Sequence, residues 1–409
     1  MSQFKYISQK LFVENSSVLN IIKKNKTPFY LYSDKQIEEN YLNFTKAFKN
    51  VNPLVCFSTK SNANLVILKK LKKLGSGADV VSGGELLKAL KAGIKPNKIV
   101  FSGVGKTEEE IKLAINKKIL LINVESESEA RKINNIAKKS NRKVSIGFRL
   151  NPDIDAKTHE KISTGKIDDK FGISIKNFSD FYKSIGKYKN IKIDALSVHI
   201  GSQILSDIPY KKTLKVLTKV ILNLDIKLKY VDLGGGFGIS YQKKDKLISL
   251  KNYAKLVFNF KKKIGCEIIF EPGRALVGNT GIIVCKIQYI KKGKNKNFII
   301  LDAGMNDFMR PALYDARHEI IPIHKTNKQT KNSIEFVGPI CETTCKFAKY
   351  KKYQKISEND YVAITNTGAY GSSLSSNYNT KPLIAEILVH KNKFKIIKKK
   401  QDLLKLINS

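Results

Sequence analysis

The sequence predicts an α/β protein that combines a (β/α)8 barrel with a mostly β domain. Between about residues 29 and 274, eight short apolar runs alternate with lysine-rich segments of helical pattern. From residue 281 onward, strand-like runs separated by turns replace the helices. A closed barrel requires eight such alternations, whereas an open doubly wound sheet, the alternative, does not. We place the barrel at residues 26–280 and the β domain at residues 1–25 and 281–409.

Each expected barrel strand is a continuous apolar run, which is typical of strands that helices cover. Helix patterns follow them, such as NLVILKKLKKL (64–74) after the first strand. The eight strands are expected at 54–60, 78–82, 98–103, 119–126, 143–150, 195–202, 229–237 and 267–274. In the β domain we expect strands at 281–292, 297–304, 333–341, 360–368, 384–392 and 393–399, joined by the run at 5–13.

The composition is that of a globular protein, with 42% hydrophobic and 27% charged residues. The formal charge of +40 raises the question of nucleic acid, but only six of the 75 basic residues are arginine. Lysine is spread along the chain without interleaved aromatic residues, so we interpret it as compositional bias and expect no specific nucleic-acid partner. The chain has no apolar run of membrane-spanning length and no signal-peptide pattern, and its five cysteines are few and mostly unclustered. We therefore expect a cytoplasmic protein without a membrane partner.

Polar residues stand at the expected carboxyl ends of the barrel strands, where barrel enzymes carry their chemistry. They are Lys60, Asp79, Ser102, Glu125, Arg149, His199, Ser202, the glycines 234–236, Glu271, Gly273 and Arg274.

Four of these features suggest one cofactor when they are taken together. Lys60 ends an apolar strand, where partial dehydration favours the neutral amine that forms Schiff bases. The run DLGGGFG (232–238) can bring bare backbone N–H groups close to a phosphate. Glu271 could hold a protonated ring nitrogen, and the imidazole of His199 could stack on an aromatic ring. Each feature alone is compatible with a structural role, but together they match the needs of pyridoxal phosphate (PLP).

With these motifs the sequence resembles the barrel-type (fold type III) PLP-dependent decarboxylases, from about Leu11 to the C-terminus. The motifs that carry the resemblance occur in the family's order. They are TPFYLYS (27–33), FSTKSN (57–62), GSGADVVSGGEL (75–86), IVFSGVGKTEEEI (99–111), LINVESESE (121–129), NPDIDAKTHEKISTGKIDDKFGIS (151–174), SVHIGSQ (197–203), DLGGGFG, EPGR (271–274), RPALY (310–314) and CETTC (341–345).

The resemblance implies decarboxylation of an amino acid, and most closely of meso-2,6-diaminopimelate to L-lysine and CO2, the last step of lysine biosynthesis. It also implies a homodimer in which the Cys341–Glu342 segment reaches the partner's site. The implied cofactor residues are Lys60 (covalent attachment), Asp79 (beside Lys60), His199 (stacking), Glu271 (ring nitrogen) and, around the phosphate, Ser202, Gly235, Gly236, Gly273, Arg274 and Tyr370. The implied substrate residues are Arg274, Arg310, Tyr314 and Tyr370, with Glu342 for the distal ammonium and Cys341 as proton donor.

Two departures from the family pattern stand out, and several alternatives stay open. Ser58 and Ser61 replace alanines around Lys60, and Cys345 replaces an aspartate in the Cys-Glu motif. The pair Cys341 and Cys345 lacks further ligands at metal spacing, so no metal site is expected. The alternatives are a sister decarboxylase of ornithine, arginine or carboxynorspermidine, an amino-acid racemase, and a non-catalytic, polyanion-binding or regulatory homologue.

Overall fold

The computed structural model describes residues 3–156, 159, 161, 164–165, 169–242 and 245–408. It divides into two compact units. The barrel unit is Tyr41–Ile239 with Lys246–Ala275, and the β unit is Met1–Asn40, Ser240–Asp245 and Leu276–Ser409. Among the described residues, no helix is both long and apolar enough to cross a membrane.

The described strands and helices follow in chain order. The strands are β1 (Phe4–Ile7), β2 (Lys10–Val13), β3 (Ser16–Ser17), β4 (Phe29–Ser33), β5 (Leu54–Ser58), β6 (Gly77–Val80), β7 (Ile99–Phe101), β8 (Leu121–Val124), β9 (Val144–Asn151), β10 (Ile173–Ser174), β11 (Ile191–Ser197), β12 (Tyr230–Asp232), β13 (Glu267–Phe270), β14 (Gly281–Lys292), β15 (Lys296–Leu301), β16 (Ile320–Pro322), β17 (Ser333–Val337), β18 (Lys346–Tyr350), β19 (Tyr361–Ile364), β20 (Ala385–His390) and β21 (Lys393–Lys398). The α-helices are α1 (Val18–Lys24), α2 (Asp34–Ala47), α3 (Leu65–Lys73), α4 (Gly83–Lys91), α5 (Glu108–Lys117), α6 (Glu127–Lys139), α7 (Ile175–Ile185), α8 (Ile208–Asn223), α9 (Leu250–Ile264), α10 (Arg274–Val277), α11 (Arg310–Tyr314) and α12 (Leu403–Ile407).

Eight parallel strands close into a barrel in the order β5, β6, β7, β8, β9, β11, β12, β13, and β13 returns to pair with β5. This confirms the predicted barrel, and all eight expected strands are present. The short β10 pairs with β9 in addition. Five strands contribute one buried cluster of Cys56, Val100, Leu121, Ala195 and Ile269. The strands are mostly apolar because the helices shield them from water.

Side-chain caps start several barrel helices within a few residues of the preceding strand. Ser82 accepts a hydrogen bond from the Glu85 backbone at the start of α4, and Ser126 accepts one from Glu129 at the start of α6. Thr107 and Glu110 form a reciprocal capping box on α5. Each cap satisfies backbone N–H groups that a helix start leaves without partners. Such short connections place the helix starts next to the carboxyl ends of the barrel strands.

The β unit is built on a nine-stranded sheet and a separate three-stranded sheet, β1–β2–β3. The main path of the larger sheet runs β18, β17, β15, β14, β4, β20, β21, and β19 joins β14 to β16. Its core includes Leu11 and Val13 of β2 together with Ile282 and Val284 of β14. The unit is mostly β, as predicted from the C-terminal half of the sequence.

The unit boundaries differ from the predicted ranges. Residues 29–33 form β4, which pairs with β14 and β20 in the β unit and is no part of the barrel. Residues 240–245 and 276–280 also fall within the β unit. The sequence also gave no indication of β16 or β18. The sequence of an apolar run does not show which sheet it will join, because its partner strands lie far away in the chain.

A buried ion pair joins the loop after β7 to helix α6 of the barrel. The ammonium of Lys106 donates to Gly103 O (2.7 Å), Asn123 O (2.6 Å) and Glu129 Oε1 (2.7 Å), and its side chain is only 1% exposed. Removing one partner of such a pair leaves a buried charge without compensation.

We expect Lys106→Met to lower the free energy of unfolding by about 3–5 kcal/mol, because it leaves the Glu129 carboxylate buried without its cation. Unfolding in urea, followed by circular dichroism, measures this change. The matched control is Lys112→Met, which removes an exposed ammonium 2.7 Å from Glu108 and should leave stability nearly unchanged. Equal effects of the two substitutions would contradict the structural importance of the buried pair.

Candidate active site

Lys60 and Asp79 meet at the carboxyl edge of the barrel. Lys60 lies in a single 3-10 turn (Thr59–Ser61) directly after β5, and its Nζ is 3.6 Å from Asp79 Oδ2. Asp79 lies beside Ser58 in the β5–β6 register and accepts a 2.6 Å hydrogen bond from Ser58 Oγ. The Lys60 side chain is 38% exposed, whereas Asp79 is fully buried. The lysine is therefore held by a buried anion while its amine remains accessible.

Two further acids lie at the same edge, at the ends of β12 and β13. Burial raises the pKa of Asp232 to about 6. Burial, together with the charges of Asp232 and Asp79, raises the pKa of Glu271 well above its usual range. The two carboxyl groups hydrogen-bond to each other. This arrangement holds a proton between them, because two adjacent buried carboxylates cannot both ionise cheaply.

A short hydrogen-bond network fixes these two carboxyl groups in place. Ser102 Oγ donates to Glu271 Oε1 at 3.3 Å. Asn123 Nδ2 donates both to Ser102 Oγ at 3.1 Å and to Asp232 Oδ2 at 3.2 Å. The backbone N–H of Gly234 donates to Asp232 Oδ1 at 2.9 Å. Each link is a buried polar group paired with another, which is the usual requirement for burying polar atoms.

The glycine run after β12 (residues 234–236), here called the glycine cradle, packs too closely against neighbouring loops for any larger residue. A Cβ on Gly235 would lie 2.2 Å from Glu271 O, and one on Gly236 would lie 2.6 Å from Gly201 O. Gly236 also has a φ of +89°, a conformation that glycine adopts freely. Bare backbone at this point lets a ligand approach closely, as phosphate groups require.

His199 and Arg274 border this cradle. His199 Nδ1 accepts a 3.3 Å hydrogen bond from the Gly235 N–H, so the neutral ring carries its proton on Nε2. Burial and the positive charges of Lys60 and Arg149 lower the pKa of His199 well below its usual value, which keeps the ring neutral. Arg274 is buried, and its Nη2 donates to Ser202 Oγ at 3.0 Å.

The remaining predicted site residues lie in the β unit. Arg310 begins α11 and is buried, and Tyr314 ends the same helix half-buried. Cys341 and Glu342 are exposed. Hydrogen bonds from Tyr378 and Thr344 lower the pKa of Glu342, so its carboxylate is charged. Tyr370 lies in a left-handed turn with φ of 54°, which is rare for a side chain of this size.

Cys345, the residue that departs from the family motif, is buried beside a tight backbone approach. Its sulfur accepts a 3.3 Å hydrogen bond from the Met305 N–H. A Cβ on Gly338 would lie 2.6 Å from the same sulfur. A thiol is therefore part of the local packing in the β unit.

The structure gathers the predicted barrel residues at one edge, and it adds residues that sequence reasoning missed. The predicted residues at the barrel edge are Lys60, Asp79, His199, Ser202, Gly235, Gly236, Glu271, Gly273 and Arg274. Asp232 and Asn123 were missed, although both lie on barrel strands close to the edge where polar residues were sought. Tyr241 and His318, which contact Arg310, were also missed because no sequence pattern links them.

The chain is similar in sequence and in structure to known pyridoxal-dependent decarboxylases. The family model described as pyridoxal-dependent decarboxylase, pyridoxal binding domain, matches residues 34–278. A diaminopimelate decarboxylase of Aquifex aeolicus is 41% identical over 97% of this chain and 95% of its own length. One from Helicobacter pylori is 42% identical over 92% and 94%. The crystal structure of the Helicobacter pylori diaminopimelate decarboxylase complexed with L-lysine is 40% identical, with a TM-score of 0.91 over 96% of this chain and 98% of that one.

The chain therefore belongs to the barrel-type pyridoxal-dependent decarboxylases. Within that class, curated relatives that are 39–42% identical over nearly their whole length are diaminopimelate decarboxylases, and this chain groups with them.

The residues at the barrel edge fit pyridoxal phosphate. At Gly235 and Gly236 the backbone packs against the carbonyl oxygens of Glu271 and Gly201 too closely for any Cβ, so this run presents backbone without side chains. Arg274 and Ser202, joined at 3.0 Å, offer donors suited to a phosphate. The accessible amine of Lys60 and the buried acid of Glu271 supply the two groups that the aldehyde and the ring nitrogen need.

The raised pKa of Asp232 predicts a pH-dependent stability. Because its folded pKa of about 6 lies above its ordinary value of 3.8, the folded state holds the proton more tightly than the unfolded chain. The stabilisation from this proton is complete below about pH 4 and is lost as the pH rises through about 6. We expect the stability of Asp232→Asn relative to the native protein to rise as the pH increases from about 4 through about 6, because the variant has no carboxyl group to ionise at this position.

Urea unfolding at a series of pH values measures this difference. The control is Asp207→Asn, which removes a carboxylate paired with Lys211 at the surface of α8. A difference between Asp232→Asn and the native protein that stays constant with pH would show that Asp232 holds no such proton.

Proposed function

We propose that this chain catalyses the PLP-dependent decarboxylation of meso-2,6-diaminopimelate to L-lysine and CO2. The observation that carries the proposal is the meeting, at one barrel edge, of an accessible lysine, a buried acid pair and a glycine cradle. The relatives named diaminopimelate decarboxylase support the choice of substrate. The solved relative complexed with L-lysine supports the choice of product.

Bound PLP supplies an aldehyde that reacts with amines and a ring that accepts the electron pair released as CO2 departs. The chain's residues bind and orient it. Lys60 provides the amine, and Asp79, 3.6 Å away, keeps that amine at the barrel edge. Arg274, Ser202, Gly235, Gly236 and Gly273 take the phosphate, with Tyr370 beside it.

Proton control is the second task of the barrel residues. Glu271 would hold the ring nitrogen and, with Asp232, would keep a proton available at that position. His199 is neutral, so it can lie against the ring without adding a positive charge. A protonated ring nitrogen makes the ring a stronger electron acceptor.

The β-unit residues recognise the substrate in this proposal. Diaminopimelate carries a carboxylate and an ammonium at the end that does not react. Arg310, Tyr314 and Arg274 take that carboxylate, because a guanidinium can bind it with two parallel hydrogen bonds. Glu342, which is charged, takes the ammonium together with Tyr370. The thiol of Cys341 returns a proton to the carbon that has lost CO2.

We further propose a cytoplasmic homodimer with shared sites. Cys341 and Glu342 are exposed on their own chain, as expected of residues that serve a partner subunit. All five cysteines are free, and four of them are buried. Free thiols are typical of proteins from a reducing compartment.

CO2 release from diaminopimelate, compared with release from ornithine, arginine and carboxynorspermidine, tests the substrate. We expect release from diaminopimelate alone. Lys60→Ala should abolish both covalent cofactor attachment, read from the visible absorbance of the protein, and CO2 release. Turnover retained by Lys60→Ala would refute the mechanism, and preference for another amine would reassign Arg310 and Glu342.

Mixing two inactive chains tests the shared site. Co-expressed Lys60→Ala and Glu342→Ala chains should regain about a quarter of native activity, because half the dimers are mixed and each mixed dimer has one intact site. The control pairs Lys60→Ala with His199→Ala. Both of these defects lie in the barrel unit, so no activity should return. Absence of recovery in the first pair would show that each chain works with its own Glu342.

A further inference from the structure

The guanidinium of Arg310 is held by two acceptors on the same nitrogen. Arg310 Nη1 donates to Tyr241 Oη at 2.7 Å and to His318 Nε2 at 3.1 Å. The nitrogen carries two hydrogens, and these two bonds use both of them. Two bonds to one end of a planar fork leave it little freedom to rotate, so its plane is fixed.

The second nitrogen of His318 determines its tautomer. Nδ1 lies 2.8 Å from Thr365 O, a carbonyl that can only accept, so Nδ1 carries the proton. Nε2 of the neutral ring is then an acceptor and faces a guanidinium that can only donate. The tautomer that donates to the Thr365 carbonyl is also the one that can accept from Arg310. The Thr365 carbonyl therefore fixes the position of His318 and, through it, that of Arg310.

Aromatic packing restrains both Arg310 and His318. The Tyr241 ring lies 4.9 Å from the Arg310 guanidinium carbon, in a cation–π contact. His318 packs edge-on against Tyr241 (centroids 5.0 Å) and against Phe308 (4.6 Å). Tyr241 thus acts twice on Arg310, through its hydroxyl and through its ring, and His318 cannot swing away without losing both aromatic contacts.

We propose that Tyr241 and His318 are positioning residues that orient Arg310 toward the non-reacting carboxylate of the substrate. This inference rests on the proposed function of Arg310. A guanidinium binds a carboxylate with two bonds only when the planes of the two groups nearly coincide. Neither residue needs to touch the substrate to influence its binding.

The chemistry of the reaction supplies a matched pair of probes. L-lysine keeps the carboxylate that diaminopimelate does not lose, whereas cadaverine has the same carbon chain and amines without it. Loss of Arg310 orientation should therefore weaken inhibition by L-lysine and leave inhibition by cadaverine unchanged.

The experiment uses the PLP-loaded enzyme and the variants Tyr241→Phe and His318→Phe. Each variant removes the atom that accepts the hydrogen bond from Arg310 but leaves an aromatic ring at that position. We expect the inhibition constant of L-lysine and the KM of diaminopimelate to rise about tenfold in each, as loss of a hydrogen bond to a charged group predicts. The kcat and the visible absorbance of the bound cofactor should change little. His318→Gln, which can offer an acceptor near the position of Nε2, should recover part of the loss. Tyr289→Phe, at a tyrosine that is 65% exposed in the same unit, is the control.

Arg310→Met separates failure of this inference from failure of the proposed function. If Arg310→Met leaves lysine inhibition unchanged, the substrate role of Arg310 is wrong. If Arg310→Met weakens it but Tyr241→Phe and His318→Phe do not, the positioning role is wrong. The role is also overturned if the two ring variants weaken cadaverine and L-lysine equally. In an Arg310→Met background, Tyr241→Phe should have no further effect on lysine inhibition.

Discussion

Closure of the barrel between its first and last strands is the constraint on which the rest of the site depends. Phe270 of β13 pairs with Val55 of β5, although 215 positions separate them in the chain. At the end of β5, the Ser58 N–H donates at 3.2 Å to the carbonyl oxygen of Pro272, which lies just beyond β13. This pairing brings the loop that carries Lys60 beside the loop that carries Glu271. A strand added, lost or shifted in register would separate the amine from the acid.

In the closed barrel, burial is the main cause of the raised pKa values of Asp232 and Glu271. Asp79, Asp232 and Glu271 are all buried at one edge, where a charged carboxyl group costs free energy unless it is paired. Lys60 offsets part of this cost for Asp79, and a shared proton offsets it for the other two. The chain therefore stores a proton where the ring nitrogen of the cofactor is proposed to lie, and the fold itself raises the pKa values that the chemistry uses.

In the β unit, the contacts around Arg310 fix the orientation of a single cation. Arg310 is buried within its own unit and is bounded by the hydroxyl and the ring of Tyr241 and by the imidazole of His318. Tyr241 belongs to a loop that follows the glycine run of β12 in the chain but lies in the β unit. The segment after the cradle thus contributes to fixing Arg310.

The sequence by itself determined the number and order of the barrel strands and most of the polar residues at their ends. Those features follow from local periodicity and from the rule that barrel chemistry lies at strand ends, as with Lys60 and Glu271. Only the tertiary structure decided that β4 joins the β sheet, that Asp232 shares a proton with Glu271, and that Tyr241 and His318 hold Arg310. The β4 pairing, the shared proton and the Tyr241 contact join residues that are distant in the chain, whereas His318 is only eight positions from Arg310 and meets it through the way the intervening segment folds. A hydrogen bond, a shared proton or a strand pairing exists only when both partners are brought together, and a local sequence pattern does not show which residues the folded chain will bring together.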